Sequence, residues 1–416
     1  MKRMRAVISS LGLSMVQNQM KFKTFCRALA FVSLCAQASV YASAQEKVLH
    51  SFSNNGKDGT DPLGGLIFNS HGHLYGTARY GGAYNVGAVF ELTPTATGGW
   101  SEKVLYSFNS TNGDGTGPYA SLILDGNGNL YGTTCYGGAY ENGTVFELTP
   151  SSTGRWTETV LHSFTGKDGG CSFASLIFDA AGNLYGTTYQ GGAYGWGTVF
   201  ELIRSSGGTW AEKVLHNFNN NARGYYLQNG VISDASGNLY GAAHGGSSGI
   251  VFELIRGATG VWSEKVLHTF TGADGFDPEA LIFDAAGNLY GTTYTGGEYD
   301  DGTVFELSPN TAGGWTEKVL HSFNGSDGVF CYAGVVFDTA GNLYGTVVEG
   351  GTYNHGTVFE LTPGASGWTE KTLHSFNSKD GTYPWAPVTL AAAGNVYGVT
   401  GSGGATGYGT VFEIKQ

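Results

Sequence analysis

Basic residues are scarce in this 416-residue chain. Six of its 21 Lys and Arg residues fall within the first 44 positions, so residues 45–416 carry 15 basic against 33 acidic residues, a formal charge of −18. A chain with this balance repels polyanions. We therefore expect neither nucleic acid nor an anionic lipid surface as a partner.

Two further features are missing after residue 45. No apolar run there is long enough to cross a membrane. The chain also lacks a His-Glu-x-x-His motif, a phosphate-binding loop and a nucleophile elbow between a strand and a helix. The sequence therefore gives no sign of the enzyme classes that are easiest to recognise.

The first 44 residues have the pattern of a secretory signal peptide. They contain six basic residues and no acid, an apolar run around Ala28–Ser39, and the small-residue site Ala42-Ser43-Ala44. Met20 is an alternative start that gives a more ordinary signal length. We expect cleavage before Gln45 and a secreted or periplasmic protein.

Seven copies of a unit of about 53 residues fill the rest of the chain. Each copy contains a VLHSF-like string, an LYG string and a VFEL string, in that order. The tyrosines of LYG are Tyr75, Tyr131, Tyr185, Tyr240, Tyr290, Tyr344 and Tyr397. A fixed period of this length indicates repeated supersecondary units that cannot bury their apolar faces alone.

The strings inside a unit predict strands and turns only. Each string is a short apolar, aromatic or β-branched run bounded by Gly, Asn, Asp or Pro. We name LIFD strand A, LYGT strand B, VFEL strand C and EKVLHSF strand D. Four strands in each of seven units predict an all-β fold, a seven-bladed β-propeller with four antiparallel strands per blade.

The order of the strings predicts how the ring closes. Residues 46–52 (EKVLHSF) precede the first LYG, whereas the chain stops just after the last VFEI. The N-terminal segment is therefore expected to supply strand D of the last blade, which makes residues 45–416 one propeller domain. Three cysteines fall in this domain, and the blade assignment leaves Cys135 and Cys171 as the one pair placed on neighbouring blades, with Cys331 unpaired.

The repeat resembles a known family. The segment Leu184–Leu202 (LYGTTYQGGAYGWGTVFEL) and the downstream Trp-Thr/Ser-Glu-Lys-Val-Leu string are similar to the GloVer tandem-repeat family of exported bacterial proteins. The likeness extends over all of residues 45–416 and implies export without implying a reaction. A looser similarity to kelch blades, in the paired glycines, strand and Trp, supports the propeller.

Residues that recur in every copy are predicted to serve the blade. They include the VLHSF histidines on strand D, to which we assign no metal or catalytic role, and the Asp-Gly pairs after it, which we interpret as turns. Glu91 and Lys103 are predicted to pair across strands C and D. The LYG glycines are expected to let neighbouring blades approach closely, and the tyrosines to fill the space between them.

Functional residues are instead sought where the copies differ, in the B–C and D–A loops that border one face. Aromatic side chains gather there and suit stacking on sugar rings or on peptide side chains, although packing of loop against loop is the alternative. The predicted ligand-binding residues in these loops are Tyr80, Tyr119, Tyr136, Phe173, Tyr189, His244, Tyr294, Tyr332 and Trp385.

An acidic group is predicted on the same face at blades 5 and 6. Its members are Glu279, Glu298, Asp300, Asp301 and Glu349, with His355 nearby. Such carboxylates suit Ca²⁺, the one cofactor considered, or the acid and nucleophile of glycosidic cleavage; solvated loop charge is the alternative. Blade 4 breaks both loop patterns, at 221–224 and 244–249, and is expected to open one side of the ring.

These patterns favour an exported, monomeric binding module for a glycan or another exported or cell-surface macromolecule. A carbohydrate-active hydrolase or lyase that uses the acidic loops of blades 5 and 6 is the alternative. A purely structural role in the envelope is the third option.

Overall fold

The computed structural model describes residues 45–220, 224–246 and 248–416. The predicted signal peptide lies outside these ranges, as do Asn221, Ala222, Arg223 and Ser247 of blade 4. Every regular element in the described ranges is a β-strand. No helix in this part of the chain is long and apolar enough to cross a membrane.

The strands follow one another as a repeated pattern of short and long segments. In the first three units they are β1 (Gln45–Ser51), β2 (Gly59–Thr60), β3 (Ile67–Phe68), β4 (Leu74–Ala78), β5 (Tyr80–Gly81), β6 (Ala88–Pro94), β7 (Trp100–Ser107), β8 (Gly115–Thr116), β9 (Ile123–Leu124), β10 (Leu130–Thr134), β11 (Tyr136–Gly137), β12 (Thr144–Pro150), β13 (Trp156–Ser163), β14 (Ile177–Phe178), β15 (Leu184–Thr188), β16 (Thr198–Arg204) and β17 (Trp210–Asn217). In the remaining units they are β18 (Ile232–Ser233), β19 (Leu239–Ala243), β20 (Ile250–Arg256), β21 (Trp262–Thr269), β22 (Phe276–Phe283), β23 (Leu289–Thr295), β24 (Thr303–Pro309), β25 (Trp315–Ser322), β26 (Val336–Phe337), β27 (Leu343–Val347), β28 (Thr357–Gly364), β29 (Gly367–Ser375), β30 (Thr389–Leu390), β31 (Val396–Thr400) and β32 (Thr410–Lys415).

These strands form seven four-stranded antiparallel sheets. The first blade has the order β3-β4-β6-β7, which is the predicted order A-B-C-D, and the other blades repeat it. Two small sheets, β2-β5 and β8-β11, join the D–A entry segment of a blade to its B–C loop, which places both loop sets on one face. The predicted seven-bladed propeller is confirmed.

The apolar core lies between neighbouring sheets. One of its seven clusters combines Leu74 and Phe90 of blade 1 with Tyr397 and Val411 of blade 7, and the others repeat this arrangement. Burying each such side chain contributes about 1.5–3 kcal/mol. A blade therefore gains its core only from its neighbours, as the repeat pattern predicts.

The LYG string is explained by contacts inside and between blades. The ring of Phe90 lies over Gly76 on the next strand, where a Cβ would lie 2.5 Å from Phe90 Cζ. The LYG glycine therefore makes room for a ring of its own sheet, and the expectation that it serves the approach of two blades is corrected. The LYG tyrosine does pack between sheets, and the Tyr75 hydroxyl donates to Glu91 Oε1 at 3.0 Å.

Strands C and D have the predicted register, with Glu91 opposite Lys103. Ion pairs at this position occur between Glu253 and Lys265 at 3.9 Å and between Glu360 and Lys371 at 3.8 Å. Lys103 instead donates to the Gly154 carbonyl oxygen at 3.1 Å. The register between strands C and D recurs from blade to blade, whereas the ion pair between the glutamate and the lysine forms in some blades and not in that of Lys103.

The recurring Asp-Gly pairs are turn residues with a second contact. The carboxylate of Asp168 accepts hydrogen bonds from the Thr165 amide and hydroxyl at 2.8 and 2.9 Å, which fixes the turn. Its other oxygen lies 3.2 Å from Nε2 of His162 on strand D. The same histidine contact occurs at Asp58, Asp274, Asp327 and Asp380.

The N-terminal strand closes the ring as predicted. Strand β1 pairs antiparallel with β32, with Glu46 opposite Ile414 and Ser51 opposite Thr410. Phe52 follows directly and is fully buried in the cluster between blades 7 and 1. The first and last strands that the structure describes are thus joined by a sheet and by a core residue.

Removal of residues 45–52 is expected to destabilise the whole propeller. It leaves β32 as an unpaired edge and removes Phe52, and loss of a buried Phe side chain alone costs about 3–5 kcal/mol. Thermal melting and light scattering should show a lower Tm and aggregation. Lys47→Ala, which keeps the strand, is the control, and a truncated protein that melts like the control would contradict this account of closure.

The interface between blades 1 and 2 contains a carboxyl group with a perturbed pKa. Burial, followed by the nearby Asp114, raises the pKa of Glu158 to about 7. The Tyr106 hydroxyl donates to Asp114 at 2.9 Å, whereas Glu158 Oε1 is buried and accepts no hydrogen bond. The folded state therefore holds a proton on Glu158 at pH values where the unfolded chain has released it.

The raised pKa of Glu158 predicts how the stability effect of Glu158→Gln depends on pH. Because the pKa of Glu158 is higher in the folded than in the unfolded state, the group contributes its full stabilisation of the fold below about pH 4.5, the ordinary pKa of a glutamate. That contribution is lost as the pH rises to about 7. The Tm of the unmodified protein relative to Glu158→Gln should therefore fall between these values and stay constant above them. The exposed Glu141→Gln serves as control, and a Tm difference for Glu158→Gln that is independent of pH would refute the assignment.

Candidate functional site

A cavity of about 450 Å³ lies where the entry segments of all seven blades converge. Its walls contain at least one residue from each D–A segment, such as Leu63 of blade 1, Ser175 of blade 3 and Pro387 of blade 7. Contributions from every blade place the cavity on the axis of the ring. Its volume falls within the range of about 300–1,000 Å³ typical of small-molecule sites.

Four of the predicted aromatic residues line this cavity, namely Tyr119, Phe173, Tyr332 and Trp385. The rings of Tyr119 and Phe173 meet edge to face with their centroids 4.7 Å apart, and those of Tyr332 and Trp385 do so at 4.9 Å. We call these four side chains the aromatic collar. Edge-to-face contacts hold each ring in one orientation.

The other predicted aromatic residues lie around the collar. Tyr189 contacts Phe173 at 5.1 Å and stacks on Tyr226, and Tyr294 contacts Tyr332 at 5.9 Å and stacks on Phe330. These contacts support the collar from behind, as the loop-packing alternative expects. Tyr80 and Tyr136 are instead 42% and 50% exposed.

One wall of the cavity carries an ion pair that the predicted site did not include. Arg79 lies 3.5 Å from Asp61, and its guanidinium stands 4.8 Å from the ring centroid of Tyr119. Burial raises the pKa of Asp61, and Arg79 opposes that shift. The variable loop position of Arg79 was visible in the sequence, but its partner Asp61 had no distinguishing signal.

Another wall carries two amide side chains from blade 4, Gln228 and Asn229. The Tyr332 hydroxyl donates to Gln228 Oε1, and Gln228 Nε2 lies 3.2 Å from His244 Nδ1. Asn229 donates through Nδ2 to Glu279 Oε2. Both amides are therefore held by partners inside the wall. Sequence reasoning missed them, although the break in the blade 4 pattern marked this segment.

His244 and Glu279 form a buried pair behind these amides. Glu279 Oε1 lies 3.2 Å from His244 Nε2, and the two side chains are 0% and 9% exposed. Burial lowers the pKa of His244, but the carboxylates of Glu279 and Asp277 outweigh it and raise the pKa overall. Burial also raises the pKa of Glu279, and His244 opposes that shift, so each partner offsets part of the cost of burying the other.

The acidic group predicted on blades 5 and 6 is not one exposed cluster, since Glu279 is fully buried. Asp300 accepts a hydrogen bond from the Gly296 amide at 3.2 Å, the backbone of Glu349 pairs with Val329, and His355 contacts Thr382. Partial burial, followed by Asp300, raises the pKa of Asp301. Within the described ranges, none of the five acids belongs to a group of three or more close ligating atoms.

In the described part of the blade 4 loops, Tyr225 lies against the shortened B–C segment. The Tyr225 amide donates to the His244 carbonyl oxygen at 2.7 Å, and a Cβ on Gly245 would meet the Tyr225 ring at 2.3 Å. Trp196 packs against Tyr225 with ring centroids 4.9 Å apart. An aromatic side chain thus occupies the space that the shorter loop leaves.

A disulfide joins Cys135 and Cys171, the pair that the blade assignment singled out. Cys171 stands two residues before Phe173 of the aromatic collar, so the bond ties this collar segment to the B–C loop of the preceding blade. Cys331 is buried and free. Burial raises the pKa of its thiol well above the ordinary value.

The fold and the axial cavity define the class as a seven-bladed β-propeller with an aromatic-lined cavity on its axis. The chain belongs to the Gloeobacter/Verrucomicrobia repeat family, whose model matches residues 38–246, 177–318 and 311–416. The resemblance seen in the repeated strings is therefore confirmed.

Among solved structures, the chain is similar to the extracellular domain of what is described as a hybrid two-component system of B. thetaiotaomicron. The TM-score is 0.53 at 13% sequence identity, and the match covers 89% of this chain and 41% of that one. At this identity the likeness concerns the fold alone. No curated protein sequence matches the chain.

Glu279→Ala is expected to lower the free energy of unfolding by about 3–5 kcal/mol, because it leaves His244 buried without its carboxylate partner. Chemical denaturation monitored by tryptophan fluorescence measures the change. Glu298→Ala, an exposed acid of the same blade, should stay within about 0.5 kcal/mol of the unmodified protein. Equal, small effects of both substitutions would show that Glu279 is solvated.

Proposed function

We propose that this protein is an exported binding protein that holds a neutral saccharide in the axial cavity. The observation that carries the proposal is the combination of the aromatic collar with fixed amide and charged groups in one cavity of about 450 Å³. The cavity suits a small ligand, or the end of a chain, better than a folded macromolecule.

The chemistry of the walls matches the two kinds of surface that a sugar ring presents. Its C–H faces are apolar and suit flat aromatic rings, which bind by area and orientation at a low cost in side-chain entropy. Its hydroxyl groups need donors and acceptors, which Gln228, Asn229, Arg79 and Asp61 supply. Since Arg79 and Asp61 form an ion pair, the wall they share favours a neutral ligand.

The surrounding structure supports a rigid site. The collar rings contact each other, Tyr189 and Tyr294 support them from behind, and the Cys135–Cys171 disulfide anchors the segment of Phe173. A site that is already ordered loses little entropy when the ligand binds. The disulfide also favours an oxidising compartment, in agreement with the signal peptide expected at 1–44.

Trp385→Ala and Tyr332→Ala should each weaken saccharide binding at least about tenfold, because truncation of a central aromatic contact costs roughly 2 kcal/mol or more. A glycan array probed with the purified protein identifies the saccharide, and isothermal titration then measures Kd. Tyr332→Phe isolates the hydroxyl that orients Gln228 and should weaken binding less than Tyr332→Ala.

Tyr353→Ala is the matched control for the saccharide measurement. Tyr353 belongs to the same blade as Tyr332 but is 58% exposed. Its substitution should leave Kd unchanged. Binding that depends on Tyr353 and not on the collar would move the site to the exposed B–C loops. A protein that binds no array saccharide but captures an exported protein through Trp385 would replace the saccharide with a peptide.

A further inference from the structure

Within the part of the chain that the structure describes, four interfaces between blades contain a histidine, an aspartate and a glutamate with one ligating atom each, all within 4.8 Å of one another. The histidine comes from strand D of one blade, the aspartate from the Asp-Gly turn that follows, and the glutamate from strand D of the next blade. The four groups are Glu46, His374 and Asp380; His50, Asp58 and Glu102; His162, Asp168 and Glu212; and His268, Asp274 and Glu317.

We propose that these four groups are binding sites for a divalent transition-metal ion such as Zn²⁺, which would link adjacent blades at the rim of the propeller. This proposal is independent of the saccharide site, because none of these residues lines the axial cavity.

The donor set fits such an ion. One imidazole nitrogen and two carboxylate oxygens are ligands of Zn²⁺ and leave a fourth position for water. The distances between His Nε2 and Asp Oδ2 are 3.2, 3.2, 3.0 and 3.5 Å at the four sites. Two ligands of one tetrahedral zinc lie about 3.4 Å apart, given bonds of about 2.0–2.2 Å.

Neighbouring groups orient two of the four aspartates, Asp168 and Asp274, as outer ligands do in metal sites, whereas at Asp58 and Asp380 a hydrogen bond also reaches Oδ2. The amide and hydroxyl of Thr165 hold Oδ1 of Asp168, and those of Thr271 hold Oδ1 of Asp274. Each bond is 2.8–2.9 Å long and leaves Oδ2 directed to the histidine. Second contacts of this kind fix the direction of a ligating carboxylate.

A second, independent observation concerns the glutamates. In all four groups the Oε1 atom of the glutamate is buried and accepts no hydrogen bond. A buried carboxylate oxygen beside a second carboxylate needs a compensating partner.

At two of the remaining interfaces a hydrogen bond occupies one of the acids, although the interface between blades 5 and 6 contains all three residue types, as His321, Asp327 and Glu370. Between blades 1 and 2, Tyr106 replaces the histidine and donates to Asp114 at 2.9 Å. Between blades 5 and 6, the Thr372 hydroxyl donates to Glu370 at 3.0 Å, where the other copies have Val at the position of Thr372. A hydrogen bond from Tyr106 or from Thr372 thus occupies one acid at each of these two interfaces, which makes them internal controls.

The test is a calorimetric titration of Zn²⁺ into the purified, chelator-treated full chain at pH 7.5. We expect saturable binding of four ions per chain and a higher Tm with Zn²⁺. Glu212→Gln should reduce the stoichiometry to three, and Tyr106→His, which completes the group with Asp114 and Glu158, should raise it to five. Glu141→Gln, an exposed acid, should leave four.

Three results would overturn the proposal. They are no saturable Zn²⁺ binding, a stoichiometry that neither Glu212→Gln nor Tyr106→His changes, and binding of Ca²⁺ in preference to Zn²⁺. The first would mean that a protonated glutamic acid completes the interface. Tyr106→His keeps the test valid if Glu212→Gln fails to fold, because it adds a ligand and removes no buried acid.

Discussion

Packing between neighbouring sheets is the constraint on which the rest of this structure depends. Each blade is a sheet of four strands whose buried residues meet those of the next blade, as in the cluster of Leu74, Phe90, Tyr397 and Val411. A single blade has no core of its own. The ring must therefore close, and closure falls to β1 and Phe52, which complete the last blade and its interface.

Closure also creates the candidate site. Seven D–A entry segments converge on the axis, where the framework no longer dictates the side chain, and the copies differ there. The ring fixes the positions of these segments, and ring contacts and hydrogen bonds hold the collar rings and the amides in place. Residues that recur in every copy therefore lie at the interfaces between blades, whereas residues that vary between copies line the axial cavity. The irregular fourth blade supplies Gln228 and Asn229, the polar groups of one wall.

The sequence allowed prediction of the elements that a period determines. The blade count, the strand order, closure by residues 46–52, the Cys135–Cys171 pair and the gathering of aromatics at the blade entrances all follow from position within the repeat. The direction of a side chain inside a variable loop does not repeat from copy to copy, so the repeat could not predict it. Glu279 was expected in a solvated cluster but is buried against His244, because blade 4 offers a histidine that no other copy has at that place. The Arg79 and Asp61 pair likewise depends on two unlinked loop positions.

Recurrence alone does not separate a framework residue from a ligand. The His and Asp of strand D and its turn hold one blade together, yet the strand D glutamate of the next blade arrives at the same point. The spacing of residues within one repeat does not predict this contact, because the glutamate belongs to a different copy of the repeat than the histidine and the aspartate. Two carboxyl groups then lie close together in a partly buried space. At two interfaces an additional hydroxyl group, that of Tyr106 or Thr372, donates a hydrogen bond to one of the two carboxyl groups. Where the sequence supplies no such hydroxyl group, the balancing charge must come from a proton or from a cation, and the histidine beside each of the four pairs favours the cation.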